Sequence, residues 1–448
     1  MPTVALLGTL DTKGDEYAFL KRRIEKAGCD VVLIDAGVRG EPLISPDVTR
    51  SAVAAAAGVD LEAMVAAGPL GAVIAAMARG AGEILARMAA QGQVHAVAGM
   101  GGSGGTSLVA GAMQALPVGF PKMIVSTMAS GDTRAFVGGT DIAMVNSVVD
   151  ISGLNHVLRR ILDNAAAALA GMARANATAQ PSRPGGPVIG ATMFGVTTPG
   201  VTAARRWLEA HGYEVLVFHA NGAGGRSMES LMRSGVITGA LDVTTTELAD
   251  ELVGGTLSAG PDRLETAGSL GLPQVVSLGA LDMANFGPID TVPERFRRRN
   301  LYVHNPAVTL MRTNAEECAR LGEVLAEKVN RAKGPTAVFV PLRGISGISV
   351  EGGAFHDPVA DRALIGSLRA TIDPSIEMVE MDTDINDPEF AKAMAECVNR
   401  LYHDWQGSGI HQGRGPIEQA IGGNGERRQA GSGLRGLSAS DRHAIPSV

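Results

Sequence analysis

Five glycines fall within seven positions of one stretch, Gly99-Met100-Gly101-Gly102-Ser103-Gly104-Gly105. Residues this small let backbone N–H groups converge on a point, which suits an anion such as phosphate. An apolar run, Val94 to Ala98, precedes the glycines and reads as a buried strand. Thr106 and Ser107 follow as a helix start, with Leu108, Ala112 and Leu116 on the inner face and Pro117 as the stop. The positive end of that helix points at the same spot. A second apolar strand, Met123 to Val125, runs into the polar loop Ser126, Thr127, Met128, Ala129, Ser130, Gly131 and Asp132. In a parallel sheet both loops emerge at the carboxyl edge, where open α/β folds bind ligands.

Two better-defined motifs are excluded. Gly99, Gly101 and Gly104 spell G-x-G-x-x-G, but a nicotinamide site also needs an acid closing the next strand. That strand ends in Ser126 and Thr127. No Lys precedes Thr106, so the phosphate loop of NTPases is absent. Tight strand–helix packing is the other use of such glycines, and it needs one or two of them rather than five.

A second polar turn lies near the start of the chain. Val4 to Leu7 is a strand, Gly8 to Gly14 a turn, and Leu20, Ile24 and Ala27 mark a helix that Gly28 caps before the strand Val31 to Ile34. In the turn, Asp11 suits Mg²⁺, while Thr9, Thr12 and Lys13 suit phosphate oxygens. The other reading is a solvated turn in which Asp11 caps the helix. Asp35 ends the second strand, either as a ribose-binding acid or as a turn cap.

The stretch from Gly99 to Met172 resembles a family of bacterial and fungal proteins related to the N-terminal ATP-binding domain of the tomato mosaic virus resistance protein. The resemblance runs from Met1 to about Tyr402. Asp150 to Asn155, Asp242 to Glu247, and His304 to Pro306 with Leu310 to Asn314 resemble further signatures of it. The resemblance implies an ATP- and Mg²⁺-binding first half and a homodimer or higher homo-oligomer. The implied cofactor-binding residues are Thr9, Asp11, Thr12, Lys13, Gly101, Gly102, Ser103, Gly104, Gly105, Thr106, Ser126, Met128, Ser130, Gly131 and Asp132, with Asp11 on the metal. Family members commonly carry an Asp near Ser349. This chain has Glu351 instead, which either takes that role or leaves the position inessential.

The elements that must hold these residues form an α/β fold. The predicted arrangement is two doubly wound Rossmann-like domains whose parallel sheets face a shared cleft. Residues 1–178 form the first, 179–187 a linker, and 188–405 the second; 406–448 is a glycine- and arginine-rich tail read as disordered. Pro69 to Gln91 reads as a long helix, broken or loosened at Gly80 and Gly82. A helix to Met172 precedes the linker stretch Ala173 to Gly186. The second half repeats the opening, strand, turn, helix and strand, with Gly212 falling where Gly28 does. Its candidates for the cleft are His219, His304, Arg312 and His356, as acid–base groups and as a carboxylate or phosphate clamp. Gly222 to Arg226 offers a second anion loop, and Glu247 and Asp250 offer acids.

Composition narrows the class. The chain has 448 residues, 45% of them hydrophobic and 19% charged, with a net charge of −7. An acidic balance argues against nucleic acid and anionic membrane as partners. No apolar run reaches transmembrane length. The three cysteines, Cys29, Cys318 and Cys397, lack metal or CxxC spacing and read as reduced thiols of a cytoplasmic protein. The expected function is ATP- and Mg²⁺-dependent enzymology on a small acidic or phosphorylated metabolite. The alternatives are a hydrolase or lyase of a carbohydrate-derived acid whose phosphate the glycine loop holds, and a non-catalytic ATP-sensing module.

Overall fold

The computed structural model describes residues 1–179 and 185–408. The linker residues 180–184 and the tail 409–448 lie outside the described residues.

Five short apolar runs become the strands β1 (Thr3–Gly8), β2 (Asp30–Asp35), β3 (Ala96–Gly101), β4 (Lys122–Ser126) and β5 (Ala143–Asn146). They pair in parallel in the order β2-β1-β3-β4-β5. The later strands are β6 (Val188–Met193), β7 (Glu214–His219), β8 (Gly239–Thr244), β9 (Gln274–Gly279), β10 (Met283–Phe286), β11 (Leu301–Asn305), β12 (Val308–Arg312), β13 (Thr336–Pro341) and β14 (Glu377–Met381). Six of them form a second parallel sheet, ordered β14-β13-β9-β8-β6-β7, and an antiparallel trio, β10-β12-β11, stands apart. The fold is α/β, with two parallel Rossmann-like sheets.

Read from β7, the second sheet repeats the order of the first and adds one strand. Gly28 and Gly212 end corresponding helices with φ of 86° and 87°, a conformation that favours glycine. The repetition expected from the sequence is therefore present in the strand order. Both sheets are covered on two faces, which is why their central strands are continuously buried. Tyr17, Leu20 and Leu162 pack on one face of the first sheet, and Val73, Met77 and Leu85 on the other. The two units touch where Ser227 Oγ lies 3.4 Å from Gly139 O.

Four features differ from expectation. The Gly8–Gly14 turn is mostly the first turn of a helix, Leu10–Lys26, kinked at Lys13 (φ −128°, ψ 20°). The Leu70–Ala90 helix runs unbroken through Gly80 and Gly82. These glycines serve packing: a Cβ on Gly80 would overlap the carbonyl oxygen of Val53, and one on Gly82 would lie 3.1 Å from Ala115 Cβ. The helix His156–Thr178 continues past Met172 because its last turns are anchored, Arg174 Nη1 donating to Ala27 O (2.7 Å) and Asn176 Nδ2 to His95 O (2.9 Å). The final helix reaches Gly407, so Gln406 and Gly407 belong to it rather than to a tail. Among the described residues, no helix is long and apolar enough to cross a membrane.

The Gly80 contact is testable. Gly80→Ala is expected to lower unfolding free energy by about 1–3 kcal/mol, the usual cost of overpacking. Urea denaturation measures it, and an unchanged midpoint would mean the two helices separate freely there.

Candidate functional site

The order β2-β1-β3 places a topological switch point between β1 and β3, since the chain leaves β1 in one direction and returns to its other side. A cavity of about 350 Å³ opens there at the carboxyl ends of the strands. Nine of the predicted residues line it: Thr9, Asp11, Thr12, Lys13, Gly101, Gly102, Ser103, Gly104 and Gly105. The Ser103–Met113 helix begins at its wall, with Gly102 as N-cap. Thr106 N–H bonds back to Gly102 O (2.8 Å), so the Ser103, Gly104 and Gly105 amides precede the first helical hydrogen bond. Lys13 and Arg39 both line the cavity, and neither side chain bonds to or pairs with another described residue.

One hydroxyl separates the strands at this point. Tyr17 Oη donates to Leu7 O (2.7 Å), accepts from Met100 N–H (2.7 Å) and lies 3.1 Å from Met100 O. Direct pairing of β1 and β3 stops at Leu7 and Gly99. Burial raises the Tyr17 pKa, which keeps the hydroxyl neutral and able to both donate and accept. Gly8 has no side chain because a Cβ there would overlap the Tyr17 ring and hydroxyl.

Asp11 is braced, its Oδ2 accepting from Arg39 N–H (2.8 Å) and Gly40 N–H (3.2 Å). Its Oδ1 is buried without a partner. Asp35 caps the loop after β2, with Oδ1 accepting from Leu10 N–H (3.2 Å) and Gly37 N–H (2.9 Å). Of its two expected roles, the turn cap is the one its bonds describe.

The other predicted first-half residues stand behind or beside the cavity. Thr106 and Ser126 are fully buried and face each other, Oγ1 to Oγ 2.6 Å apart. Ser126 Oγ also accepts from Met128 N–H (2.9 Å). Ser130 and Gly131 follow on the same loop, and Asp132 pairs with Arg134 (2.7 Å) in solvent. None of the four from Met128 to Asp132 lines the cavity, because β4 lies beyond β3 from the switch point. Ala36, Val38, Arg39, Leu70, Ile74 and Leu108 complete the lining. Of these, only Arg39 carried a sequence signal, a cation four residues after Asp35 at a strand end.

In the second unit the polar residues mostly serve one another. The Gly222–Arg226 loop does bind a carboxylate, but it is the chain's own: Glu247 Oε1 accepts from Gly222 N–H (2.6 Å) and Gly225 N–H (3.1 Å). Fully buried Arg263 holds Glu247 through Nε (2.5 Å) and Asp242 through Nη1 (2.6 Å) and Nη2 (2.7 Å). Arg312 was expected to clamp a ligand. It is 4% exposed, and its donors reach Phe355 O, Thr313 O and Oγ1, Asp357 O and Asp361 Oδ1. The anion it clamps is Asp361, at 2.6 Å. His219, His304 and His356 are exposed. His219 stacks on Phe194 (centroids 5.1 Å apart), and His356 Nδ1 lies 3.3 Å from Ser349 O. No hydrogen bond joins any two of the three among the described residues.

The fold and cavity define a Rossmann-like α/β protein with a cavity at the switch point of its first sheet. The chain belongs to the Uncharacterised protein family (UPF0261), whose N-terminal domain matches residues 2–178 and C-terminal domain residues 186–402. A UPF0261 protein of Clostridium tetani is 52% identical over 394 residues, 88% of this chain and 97% of that protein. The ToMV resistance protein Tm-1(GCR237) of Solanum lycopersicum is 38% identical over 416 residues, 88% of this chain and 55% of that protein. Among solved structures, a UDP-N-acetylglucosamine 2-epimerase from Rickettsia bellii gives a TM-score of 0.22 at 9% identity, covering 92% of this chain and 99% of that one. A likeness of that size carries no argument about ligands.

Two measurements test the electrostatics and the hydroxyl between the strands. Burial raises Asp250 to about 7, against hydrogen bonds from Asn285 and Leu257, and raises Asp282 to about 6, against the charge of Arg312. Both folded-state values exceed the unfolded value of 3.8. The folded state therefore holds more protons across roughly pH 4 to 7, and stability falls as pH rises through that window. Asp250→Asn is expected to flatten this slope by up to about 1.4 kcal/mol per pH unit, read from urea unfolding at a series of pH values. Tyr17→Phe strands the buried Met100 N–H and is expected to cost about 1–3 kcal/mol. A loss below about 0.5 kcal/mol would show that β1 and β3 close the gap themselves.

Proposed function

We propose that the chain binds ATP with Mg²⁺ in the β1–β3 cavity and acts as an enzyme on a small acidic or phosphorylated metabolite. One observation carries the reading. Two cations without partners among the described residues, Lys13 and Arg39, line the same cavity as the open amides of a helix start. Positive charge with no counter-ion among the described residues favours an anionic ligand, and several donors around one point favour phosphate oxygens. Thr9 and Thr12 add hydroxyls on the facing wall.

The residues present fit a magnesium ion. Mg²⁺ keeps most of its waters and needs only one or two carboxylates beside the phosphates. Asp11 supplies a buried oxygen without a partner at the cavity wall, and its other oxygen holds the Arg39–Gly40 backbone in place. When bound, the ion neutralises phosphate charge and favours transfer of a phosphoryl or nucleotidyl group. Lys13 and the helix amides then orient the phosphates, and Tyr17 keeps the strands apart that form the cavity floor.

The same anion site also suits a phosphorylated substrate of a hydrolase or lyase. That reading also needs an acid–base group at the cavity, and His219, His304 and His356 do not line it.

Calorimetric titration with Mg·ATP, followed by analysis for ADP and AMP, tests the proposal. Saturable binding is expected, with Gly104→Val abolishing it while the thermal melt stays within a few degrees of the parent. A Cβ at Gly104 meets only Ile74 Cδ1, at 3.6 Å, so the variant fills the cavity without displacing backbone. Binding of ATP that survives in Gly104→Val overturns the assignment.

A further inference from the structure

The antiparallel trio β10-β12-β11 ends in an open edge. Among the described residues, β11 pairs with β12 alone. Arg312 N–H donates to Asn300 O (2.9 Å), so Asn300 faces β12. Backbone groups alternate in direction along an antiparallel strand. Tyr302 therefore also faces β12, while Leu301 and Val303 point their N–H and C=O groups away from it. No hydrogen bond from another described element reaches those four groups. Exposed edges are usually blunted by a charge or a proline. Leu301, Tyr302 and Val303 supply neither, and Tyr302 and Val303 are 39% and 54% exposed.

The side chains of this edge have two faces. Leu301 and Val303 share one of them. Beside Leu301 lies a hollow of about 350 Å³, lined also by Ile289, Asp290 and Arg297. Ile289 is 46% exposed. Tyr302 lies on the other face, its ring centroid 6.3 Å from that of Phe355. The pairing with β12 slips between Val303 and Asn305, which marks a bulge and leaves Leu301–Val303 as the regular part of the edge.

We infer that this edge pairs antiparallel with the same edge of a second copy of the chain, about a two-fold axis at Tyr302. That register sets Leu301 of each copy opposite Val303 of the other, and Tyr302 opposite itself. The outward groups of the two copies then satisfy one another through four backbone hydrogen bonds. Val303 of each copy arrives over Leu301 of the other, beside the hollow. A centre at Val303 would instead require Asn305, which lies beyond the bulge. The paired segment carries no charge, so no like charges meet across it. The occupant is a second copy because one surface offers both the projecting Val303 and the hollow that Val303 meets. Such a contact is isologous and closes at two copies. The inference does not rest on the phosphate reading above.

Sedimentation velocity of the full chain, with cysteine cross-linking, tests the arrangement. The parent is expected to be a dimer at micromolar concentration. Val303→Lys puts a charge on the edge at an exposed position and is expected to weaken association at least about tenfold without lowering the thermal melt. Directly opposed residues that do not exchange hydrogen bonds lie about 4.5 Å apart at Cα, within the roughly 4.4–6.8 Å that a disulfide spans. Tyr302→Cys, oxidised with copper phenanthroline, is therefore expected to give a covalent dimer on a non-reducing gel. Val303→Cys, whose counterpart is Leu301, is expected to link poorly. Cys29, Cys318 and Cys397 are buried and supply the background in the parent chain. A monomeric parent overturns the inference and leaves the edge to a different protein. A dimer indifferent to Val303→Lys, or one that links through Val303→Cys and not through Tyr302→Cys, overturns it as well.

Discussion

The tyrosine hydroxyl between β1 and β3 is the contact on which the candidate site depends. A parallel pair continues as long as each strand offers the other a donor and an acceptor. Tyr17 supplies both to Leu7 and Met100 and so ends the pairing while leaving no backbone group unsatisfied. The strands can then part, and the glycine loop turns away from β1 instead of pairing with it. Gly8 is required by the same contact. The cavity is therefore a property of the sheet, with the loops supplying its chemistry.

The two units use similar loop chemistry to opposite ends. In the first, the amides of a glycine-rich helix start face an open cavity with two cations that lack partners among the described residues. In the second, glycine amides are satisfied by Glu247, and that buried carboxylate is held with Asp242 by one fully buried arginine, Arg263. An ion network of this kind is poor evidence for stability, yet removing one member would strand the others in a dry interior. Its effect here is to fix where the β7 and β8 loops sit. Convergent N–H groups at a strand end thus recur in both units, and in the second the chain itself supplies the anion they bind.

Arg312 follows the same logic. Its planar fork suits bidentate contact with a carboxylate, and the partner is Asp361, 49 residues on. Sequence shows that such an arginine has anion-binding geometry available; it does not show that a helix carrying Asp361, 49 residues downstream, will deliver the anion.

Much of the architecture was legible from local pattern. Apolar runs of strand length, alternating with helical periods, dictate a parallel α/β fold because only two covered faces suit strands with no polar side. Gly28 and Gly212 mark equivalent turns, and the five clustered glycines mark the loop where backbone must come close to something. Those features are local, so spacing reveals them. What only the tertiary structure decided is which groups meet. Gly80 reads as a helix breaker until Val53 is seen against it, and nothing in the sequence marks Tyr17 as the residue whose hydroxyl lies between two strands. Glu247 and Arg312 read as ligand-facing until their partners arrive from distant segments. Leu70 and Ile74 carry no sign in their spacing that the helix begins beside the glycine-loop cavity. Periodicity reports which face of an element is buried, whereas charge pairing and cavity lining depend on contacts across tens to hundreds of residues, which sequence order does not encode locally.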